Sequence, residues 1–131
     1  MKYLLDTSVF LLGVAAEERL NARAQEVLTA PSSELYMSVA GTWEIAIKFA
    51  LGSLPLPKAP SEYIPYAQRL WRVQTLNITQ EHAFRAGELP VHHRDPFDRM
   101  IIAQALSDKM TLLSADRTFQ KYRVDLIYCG K

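Results

Sequence analysis

The chain has 131 residues, a formal net charge of +1 and 49% hydrophobic residues. These values fit one globular domain and exclude a disordered chain or a strongly basic, non-specific nucleic-acid binder. The single cysteine, Cys129, has no partner for an internal disulfide, which favours a reducing compartment. No apolar run approaches the ~20 residues of a membrane span, and Asp6 interrupts the place where a signal peptide needs an unbroken apolar run. We therefore expect a cytoplasmic protein with no membrane segment.

Short apolar runs alternate with segments of helical periodicity along the chain. The predicted strands are residues 2–5, 34–37, 73–78, 110–113 and 124–128. The predicted helices are residues 9–12, 21–30, 39–51, 62–71, 80–89 and 97–106, with a helical turn or two at 116–122. Strands that are apolar on both faces and alternate with helices predict a three-layer α/β/α domain with a central, mainly parallel sheet.

Polar residues and prolines mark the helix ends in this pattern. Ser38 and Thr79 are expected to cap the helices that follow them, and Pro96 occupies a favoured first helical position. Residues 53–60 and 90–95 are expected to be loops. No internal repeat or long linker divides the chain, so residues 1–131 are expected to form a single domain.

Asp6 and Asp116 each follow a predicted strand within three residues. Either carboxylate can cap the helix that comes next, which is the simplest explanation for each acid taken alone. Both nevertheless lie at the carboxyl ends of strands, and that edge of an open parallel sheet is where ligands bind.

Asp98 and Glu44 lie within predicted helices. Asp98 is in a first turn, where the macrodipole favours an acid by roughly 0.3–1 kcal/mol, and Asp95 is better placed as the cap of that helix. Glu44 interrupts a helix that is apolar on most sides, so we expect that helix to be buried. A pair with Lys48 contributes only about 0.2–0.5 kcal/mol, so a buried Glu44 needs a further partner or must lose its charge.

These four acids have a joint explanation if they converge. Two carboxylates about 5 Å apart repel by about 3 kcal/mol at an effective dielectric of about 20, so four together require a cation. Mg²⁺ and Mn²⁺ prefer oxygen ligands and bind well beside a substrate phosphate. We therefore hypothesise a divalent metal site formed by Asp6, Glu44, Asp98 and Asp116.

Four segments carry a more specific pattern: LLDTS at residues 4–8, WEIAIK at 43–48, HRDPFDR at 93–99 and LSAD at 113–116. Together, in this order and spacing, they resemble the PIN domain, and most nearly the VapC-type toxins of type II toxin–antitoxin systems. The resemblance spans essentially the whole chain and implies a single PIN-like domain over residues 1–131.

The resemblance implies a Mg²⁺- or Mn²⁺-dependent ribonuclease that hydrolyses RNA phosphodiester bonds by metal-activated water, leaving 3′-hydroxyl and 5′-phosphate ends. The acidic metal-binding positions of the family correspond here to Asp6, Glu44, Asp98 and Asp116. A hydroxyl near the metal cluster corresponds to Thr7 or Ser8, and to Ser114. Members of the family usually form homodimers and are silenced by a small antitoxin that also binds DNA, so both partners are expected. Gly41 departs from the pattern, since many relatives have a serine there. A hydroxyl near the site is therefore missing at this position, which bears on substrate positioning and not on the metal site.

Basic residues and histidines surround the last acidic segment. Arg94 and Arg99 could hold phosphate oxygens or form salt bridges to the neighbouring acids, and both interpretations stay open. His92 and His93 are adjacent, and neighbouring residues rarely both point at one metal. We expect them to hydrogen-bond to the loop or to RNA rather than to bind the ion.

Five aromatic residues at helical spacing are expected in the core or an interface rather than stacked on bases: Trp43, Phe49, Tyr63, Tyr66 and Trp71. The predicted helix at residues 62–71 is a candidate flank for a groove that accepts an antitoxin helix.

Two other functions fit parts of the pattern. In a phosphoryl-transfer enzyme Asp6 would be the phosphorylated nucleophile, but such a phosphatase needs a second aspartate where Ser8 stands. A receiver-like domain needs an acidic pair before the strand, which is also absent. A PIN-fold binding module without catalysis is the other alternative. Degenerate members generally lose one or more of the acids, whereas this chain has all four.

Overall fold

Five short strands form one all-parallel sheet in the computed structural model, which describes residues 1–131. The strands are β1 (Lys2–Leu5), β2 (Glu34–Ser38), β3 (Val73–Leu76), β4 (Thr111–Ser114) and β5 (Leu126–Tyr128). Their order across the sheet is β3-β2-β1-β4-β5. The second and third strands therefore lie on one side of β1, and the fourth and fifth strands lie on its other side. The resulting switch point lies between β1 and β4, and ligands of open parallel sheets bind outside the carboxyl ends of strands at such a point.

Six α-helices connect and cover the strands. They are α1 (Thr7–Ala15), α2 (Ala22–Thr29), α3 (Val39–Ala50), α4 (Pro60–Trp71), α5 (Gln80–Glu88) and α6 (Pro96–Asp108). The predicted caps are confirmed: the Ser38 hydroxyl accepts from the backbone of α3, and the Thr79 hydroxyl accepts from the backbone of α5. Short 3₁₀ turns occupy Glu17–Arg19 and Arg117–Lys121. None of the helices combines the length and the apolar character that crossing a membrane requires.

Alternate residues of the central strands enter two separate cores, because successive side chains of a strand point to opposite faces. Leu5 and Leu113 pack with residues of α1 to α4 on one face. Leu4 and Leu112 pack with residues of α6 on the other face, and Leu89 at the end of α5 adds to that core. This arrangement confirms the predicted three-layer α/β/α architecture.

The helix expected over residues 39–51 is present, but the expectation that this helix is buried holds for one side only. Only Ala40, Gly41, Glu44 and Ile45 of α3 are buried, whereas the Trp43 side chain is 63% exposed. The periodicity alone could not assign the second apolar face to an inner or outer position, since both faces of the helix are apolar. Glu44 therefore lies on the inward side of a helix whose outer side stays uncovered in this chain.

Asn21 joins the start of α2 to the last strand. Its Oδ1 accepts from the Ala24 N–H, and its amide donates to the carbonyls of Tyr128 (2.8 Å) and Gly130 (3.1 Å). We expect Asn21→Ala to lower the free energy of unfolding by about 2 kcal/mol. The variant loses both the helix cap and the two hydrogen bonds that the side-chain amide donates. Urea unfolding would measure this loss.

Asn21→Ser is the matched control for that change. Serine keeps a capping oxygen but has no amide to reach the last strand, so a loss of only about 1 kcal/mol is expected. Equal losses in the two variants would contradict the role of the amide.

Candidate metal centre

The carboxyl ends of β1 and β4 meet at a small cleft of about 180 Å³. Leu5 pairs with Leu113 in the sheet, and the N–H of the next residue, Asp6, donates to the Leu113 carbonyl (3.0 Å). The four acids predicted from the sequence all line this cleft: Asp6, Glu44, Asp98 and Asp116. Thr7, Ser8, Lys48, Asp95 and Phe119 complete its lining. The sheet switch point thus carries five carboxylates, one more than the sequence analysis assigned.

Asp6 is both a helix cap and a wall of the cleft. Its Oδ1 accepts from the Val9 N–H (2.8 Å) and from the Ser8 hydroxyl (3.0 Å). Its Oδ2 accepts from the Ser114 hydroxyl, and the residue is only 4% exposed. The cap inferred from the sequence is confirmed, and it coexists with a position in the cleft.

Ser114 connects the two acids that follow β1 and β4. Its hydroxyl donates to Asp6 and accepts from the Asp116 N–H (3.0 Å). Asp116 in turn caps the 3₁₀ turn after it, through Oδ1 and the Thr118 N–H (2.9 Å). One buried hydroxyl therefore links the Asp6 carboxylate to the backbone of Asp116.

Glu44 extends into the cleft from the buried side of α3. Its Oε2 lies 2.6 Å from the Lys48 ammonium, whose side chain is half exposed. Its Oε1 is buried and has no hydrogen-bond partner. The protein therefore supplies a partner for one carboxylate oxygen of Glu44 and none for the other.

Asp98 lies in the first turn of α6, as predicted, and Asp95 caps that helix by accepting from the N–H groups of Phe97 and Asp98. The imidazole Nε2 of His93 lies 3.1 Å from Asp98 Oδ2 and 3.0 Å from Asp116 Oδ2. The expected hydrogen bond of His93 to the loop is present, since its Nδ1 accepts from the Asp95 N–H. The contact of Nε2 with the two acids was not predicted, because no pattern in the sequence places a loop histidine against Asp116, which follows another strand.

The two arginines of the HRDPFDR segment differ in their surroundings. Arg99 donates to four backbone carbonyls of the preceding helix and loop, those of Ala86, Leu89, Pro90 and His93. Neither the phosphate contact nor the salt bridge anticipated for Arg99 matches this arrangement, because the guanidinium is already occupied by the carbonyls. Arg94 is exposed and forms no salt bridge, so its guanidinium remains available to a ligand.

Thr7 supplies a hydroxyl next to Gly41. Thr7 Oγ1 is buried and has no hydrogen-bond partner, and a Cβ added at Gly41 would lie 3.0 Å from it. A side chain at residue 41 and the Thr7 hydroxyl therefore compete for the same space. In this chain the hydroxyl at that point belongs to Thr7, which offsets the absence of a serine at residue 41.

Burial and mutual repulsion change the proton affinities in the cleft. Burial, followed by the charge of Asp95, raises the pKa of Asp98 from 3.8 to about 7, against an opposing effect of His93. Burial also raises the pKa of Asp6, although hydrogen bonds from Ser114 and a backbone N–H oppose that rise. Burial acts in the same direction on Asp116, but hydrogen bonds from Thr118 and His93 outweigh it and lower the pKa of that carboxyl. Without a cation the acids thus divide into an ionised Asp116 and two groups that hold protons more readily.

The donor set fits a hard divalent cation. The converging groups are carboxylates, which are preferred ligands of Mg²⁺ and Mn²⁺. The unpartnered Oε1 of Glu44 is a buried oxygen for which the protein provides no donor, and such a group costs about 1–3 kcal/mol unless it is satisfied. A cation in the cleft would satisfy that oxygen and would oppose the burial and the repulsion that raise the pKa of Asp98.

The fold and the cleft define a parallel α/β protein with a cluster of acids at its sheet switch point. A family model described as the PIN domain matches residues 3–125. The chain therefore belongs to the PIN domain family.

Individual relatives agree with this assignment. A stretch of 54 residues, 41% of this chain and 37% of the relative, is 37% identical to Ribonuclease VapC16 of Mycobacterium tuberculosis. The fold is similar to that in VapBC2 from Rickettsia felis bound to a promoter DNA fragment (TM-score 0.74, 16% identity, 99% of this chain and 100% of that chain). It is also similar to DNA-bound VapBC from Salmonella typhimurium (TM-score 0.69, 20% identity, 98% of each chain). At these identities the solved structures bear on the fold alone.

The raised pKa of Asp98 predicts how metal-free stability depends on pH. The folded protein holds this proton more tightly than the unfolded chain, so stability falls as pH rises from about 4 to about 7 and the full penalty remains above that range. We expect Asp98→Asn to raise the free energy of unfolding by roughly 2 kcal/mol near pH ~8, after allowance for solvent screening. Urea unfolding in EDTA at about pH 5 and about pH 8 would measure the difference.

Asp125→Asn is the control for this change, since Asp125 is exposed and lies outside the cleft. It should leave stability unchanged at either pH. An Asp98→Asn variant no more stable than wild type at the higher pH would contradict the electrostatic description of the cleft.

Proposed function

We propose that the protein is a metal-dependent ribonuclease and the toxin of a type II toxin–antitoxin pair, acting in the cytoplasm as one PIN-like domain over residues 1–131. The observation that carries the proposal is the convergence of four carboxylates in one cleft, where a buried oxygen of Glu44 has no protein partner. Mg²⁺ or Mn²⁺ is the cation whose chemistry fits these ligands. Membership of the PIN domain family and the similarity to a protein named as a ribonuclease support the same activity.

The cation would be held by Asp6, Glu44, Asp98 and Asp116. When bound, it supplies Lewis acidity, which polarises the phosphate and makes the attacking water more acidic. With the cation present, Asp6 and Asp98 are expected to be ionised, because its charge reverses the effect of burial on these two groups.

Two basic residues, one in the cleft and one near it in the sequence of the last acidic segment, would act on the substrate. Lys48 and the exposed Arg94 present N–H donors that can bind phosphate oxygens and hold the RNA backbone at the cleft. As a water oxygen bonds to phosphorus, a carboxylate of the cleft accepts its proton. The bond from phosphorus to the 3′ oxygen breaks, and this leaving oxygen takes a proton from solvent to give the 3′-hydroxyl. Lys48 also keeps Glu44 oriented, through the 2.6 Å contact with its Oε2.

Phosphorylation of Asp6 fits the geometry less well. Both of its carboxylate oxygens already accept hydrogen bonds, and the residue is almost completely buried. A nucleophile needs an accessible oxygen aimed at the phosphate. No observation favours the non-catalytic module either, since the four acids lie together.

An antitoxin is the first proposed protein partner. The similar solved structures include VapBC complexes, and an apolar groove of about 370 Å³ lies between α1 and residues 54–57. Leu11, Leu12, Leu54, Leu56 and Tyr63 line this groove. An amphipathic helix with apolar residues at helical spacing has the chemistry to fill it. Tyr63 belongs to the helix that the sequence analysis selected as a flank for such a partner.

A second copy of the chain is the other proposed partner. Trp43 packs edge-on against Phe97 with ring centroids 5.5 Å apart, and with Ile78 and Met100 these rings line an apolar depression of about 290 Å³. Exposed apolar surface of this kind marks interfaces. Two copies related by a twofold axis would cover it with the same patch of the partner.

Cleavage of RNA is the direct test of the proposed activity. We expect purified, antitoxin-free protein to give discrete fragments from total small RNA with Mg²⁺ or Mn²⁺ and none with EDTA. Asp98→Asn should lower the rate by at least about 100-fold, since it removes a ligand charge from the centre. Denaturing gels and mapping of the fragment ends would measure both effects.

Asp125→Asn is again the matched control and should cleave like wild type. Full activity in EDTA, or in Asp98→Asn, would contradict the metal centre. Intact RNA with folded wild type that binds Mn²⁺ would contradict the ribonuclease proposal for the RNAs tested.

Trp43→Arg should abolish self-association, because the variant places a charge at the centre of the proposed contact. We expect wild type to sediment as a dimer at micromolar concentration and Trp43→Arg as a monomer. Phe84→Arg is the control, since Phe84 has the same 63% exposure as Trp43 but lies outside the depression. A monomeric wild type would contradict the dimer, and a dimeric Trp43→Arg would contradict its location.

A further inference from the structure

One side chain beside the cleft has no role in the proposed chemistry, although it contacts two of the acids that line the cleft. His93 Nε2 is within 3.1 Å of Asp98 Oδ2 and within 3.0 Å of Asp116 Oδ2. The side-chain N and O atoms of His93, Asp98 and Asp116 lie within 4.8 Å of one another. Three ligands of one metal ion could have the same spacing, so His93 could be either a hydrogen-bond donor to the acids or a metal ligand. The chemistry of the other ring nitrogen distinguishes a hydrogen-bond donor from a ligand.

The Nδ1 atom of His93 accepts the backbone N–H of Asp95 at 3.3 Å. A neutral imidazole has one donor nitrogen and one acceptor nitrogen, so an accepting Nδ1 puts the proton on Nε2. An unprotonated Nε2 would instead direct its lone pair at two carboxylate oxygens. Both sides of the ring therefore require Nε2–H, and in this tautomer Nε2 donates a hydrogen bond and has no lone pair for a metal.

The loop that carries His93 is held from two sides. The Tyr122 hydroxyl accepts from the N–H groups of His92 and His93 and donates to the Pro90 carbonyl (2.8 Å). The Arg99 guanidinium donates to the carbonyls of Pro90 and His93. Both backbone polar groups of His93 are thus bonded to α6 and to the turn before β5, which fixes the origin of the side chain.

Further contacts define where the ring points. The imidazole packs against Phe119 with centroids 5.4 Å apart, so its direction does not depend on the carboxylates alone. His92 lacks these contacts, since its exposed ring packs edge-on against Tyr122. Of two adjacent histidines, only one is built into the centre.

We propose that His93 is a positioning residue of the metal centre, whose Nε2–H donates to the Asp116 carboxylate and lies against the Asp98 carboxylate, so that both acids keep the orientation that binds a divalent cation. This inference rests on the proposed metal-dependent function. The two acids repel each other, and the partly positive Nε2–H lies between them, donating to Asp116 Oδ2 and attracting Asp98 Oδ2 at 3.1 Å. Asp98 Oδ1 accepts no hydrogen bond from the protein, so that oxygen is available to a cation. Loss of such an outer contact typically weakens metal binding about 10–100-fold.

Two substitutions separate the two ring nitrogens. His93→Gln has an amide nitrogen near the position of Nε2 and keeps the donor to the acids. His93→Asn has an oxygen near Nδ1, which can accept from Asp95, but it cannot reach the acids. We expect Mn²⁺ affinity, measured by calorimetry, to fall about 10–100-fold in the asparagine variant and less than about threefold in the glutamine variant. His92→Asn is the matched control and should bind Mn²⁺ like wild type.

Two spectroscopic measurements test the same inference without catalysis. The imidazole ¹⁵N shifts of metal-free protein should identify His93 as the Nε2–H tautomer. Pulsed electron paramagnetic resonance of the Mn²⁺-loaded protein should show no directly bonded histidine nitrogen. An Nδ1–H tautomer, or a directly coordinated nitrogen that disappears in the His93 variants, would overturn the proposal.

The binding results distinguish this inference from the proposed function. A wild type that binds no Mn²⁺ contradicts the metal-dependent function itself. A wild type that binds, beside an unaffected His93→Asn, contradicts only the role of His93. Equal losses in the asparagine and glutamine variants would also overturn it, because the donor would then not matter. If the asparagine variant fails to fold, the imidazole ¹⁵N shifts of the wild type test the same inference, and an Nδ1–H tautomer overturns it.

Discussion

The crowding of carboxylates at one edge of the sheet is the constraint on which the rest of the site depends. A pair of carboxylates at about 5 Å repels by about 3 kcal/mol at an effective dielectric of about 20, and five of them line this cleft. Three of the five are also helix or turn caps: Asp6, Asp95 and Asp116. Each cap stabilises its element by about 1 kcal/mol, and the positive end of a helix dipole favours an acid beside it. Helix capping thus offsets part of the repulsion between the carboxylates. The parallel topology brings the N-termini of these helices and turns together at one edge of the sheet.

Fixed donors between the carboxylates account for the remaining order of the site. Ser114 connects Asp6 to the backbone of Asp116, and His93 connects Asp116 to Asp98. Lys48 holds Glu44 from the solvent side. Every acid proposed as a ligand therefore has at least one donor that restricts its rotation before any cation binds. Preorganisation of this kind lowers the cost of binding, since the ligands need not be ordered at that moment.

Local chemistry explains which features could be predicted from the sequence. Strand and helix positions, the caps at Ser38 and Thr79 and the edge location of the acids follow from short-range patterns, and the structure agrees with them. The outer face of α3 was misjudged because an apolar helix face has the same composition in a core and at an interface. The contacts of Arg99 and His93 could not be predicted, because their partners lie on other elements: the carbonyls at the end of α5 and the acid after β4. Such contacts depend on how α5, α6 and β4 pack, and no single segment carries that information.

The distribution of charge bears on how a nearly neutral chain could act on RNA. Without a cation, the cleft presents Glu44, Asp95 and Asp116 to an approaching phosphate, and Asp98 adds a further charge above its pKa of about 7. A phosphate would then be repelled by the same groups that are proposed to direct its hydrolysis. A divalent cation reverses this field locally, because its charge offsets the acids at the point where the phosphate must sit. Lys48 and Arg94 then act without competition from uncompensated carboxylates. Under the proposed function the cation therefore contributes to substrate binding as well as to chemistry, and a strong overall basic charge is unnecessary.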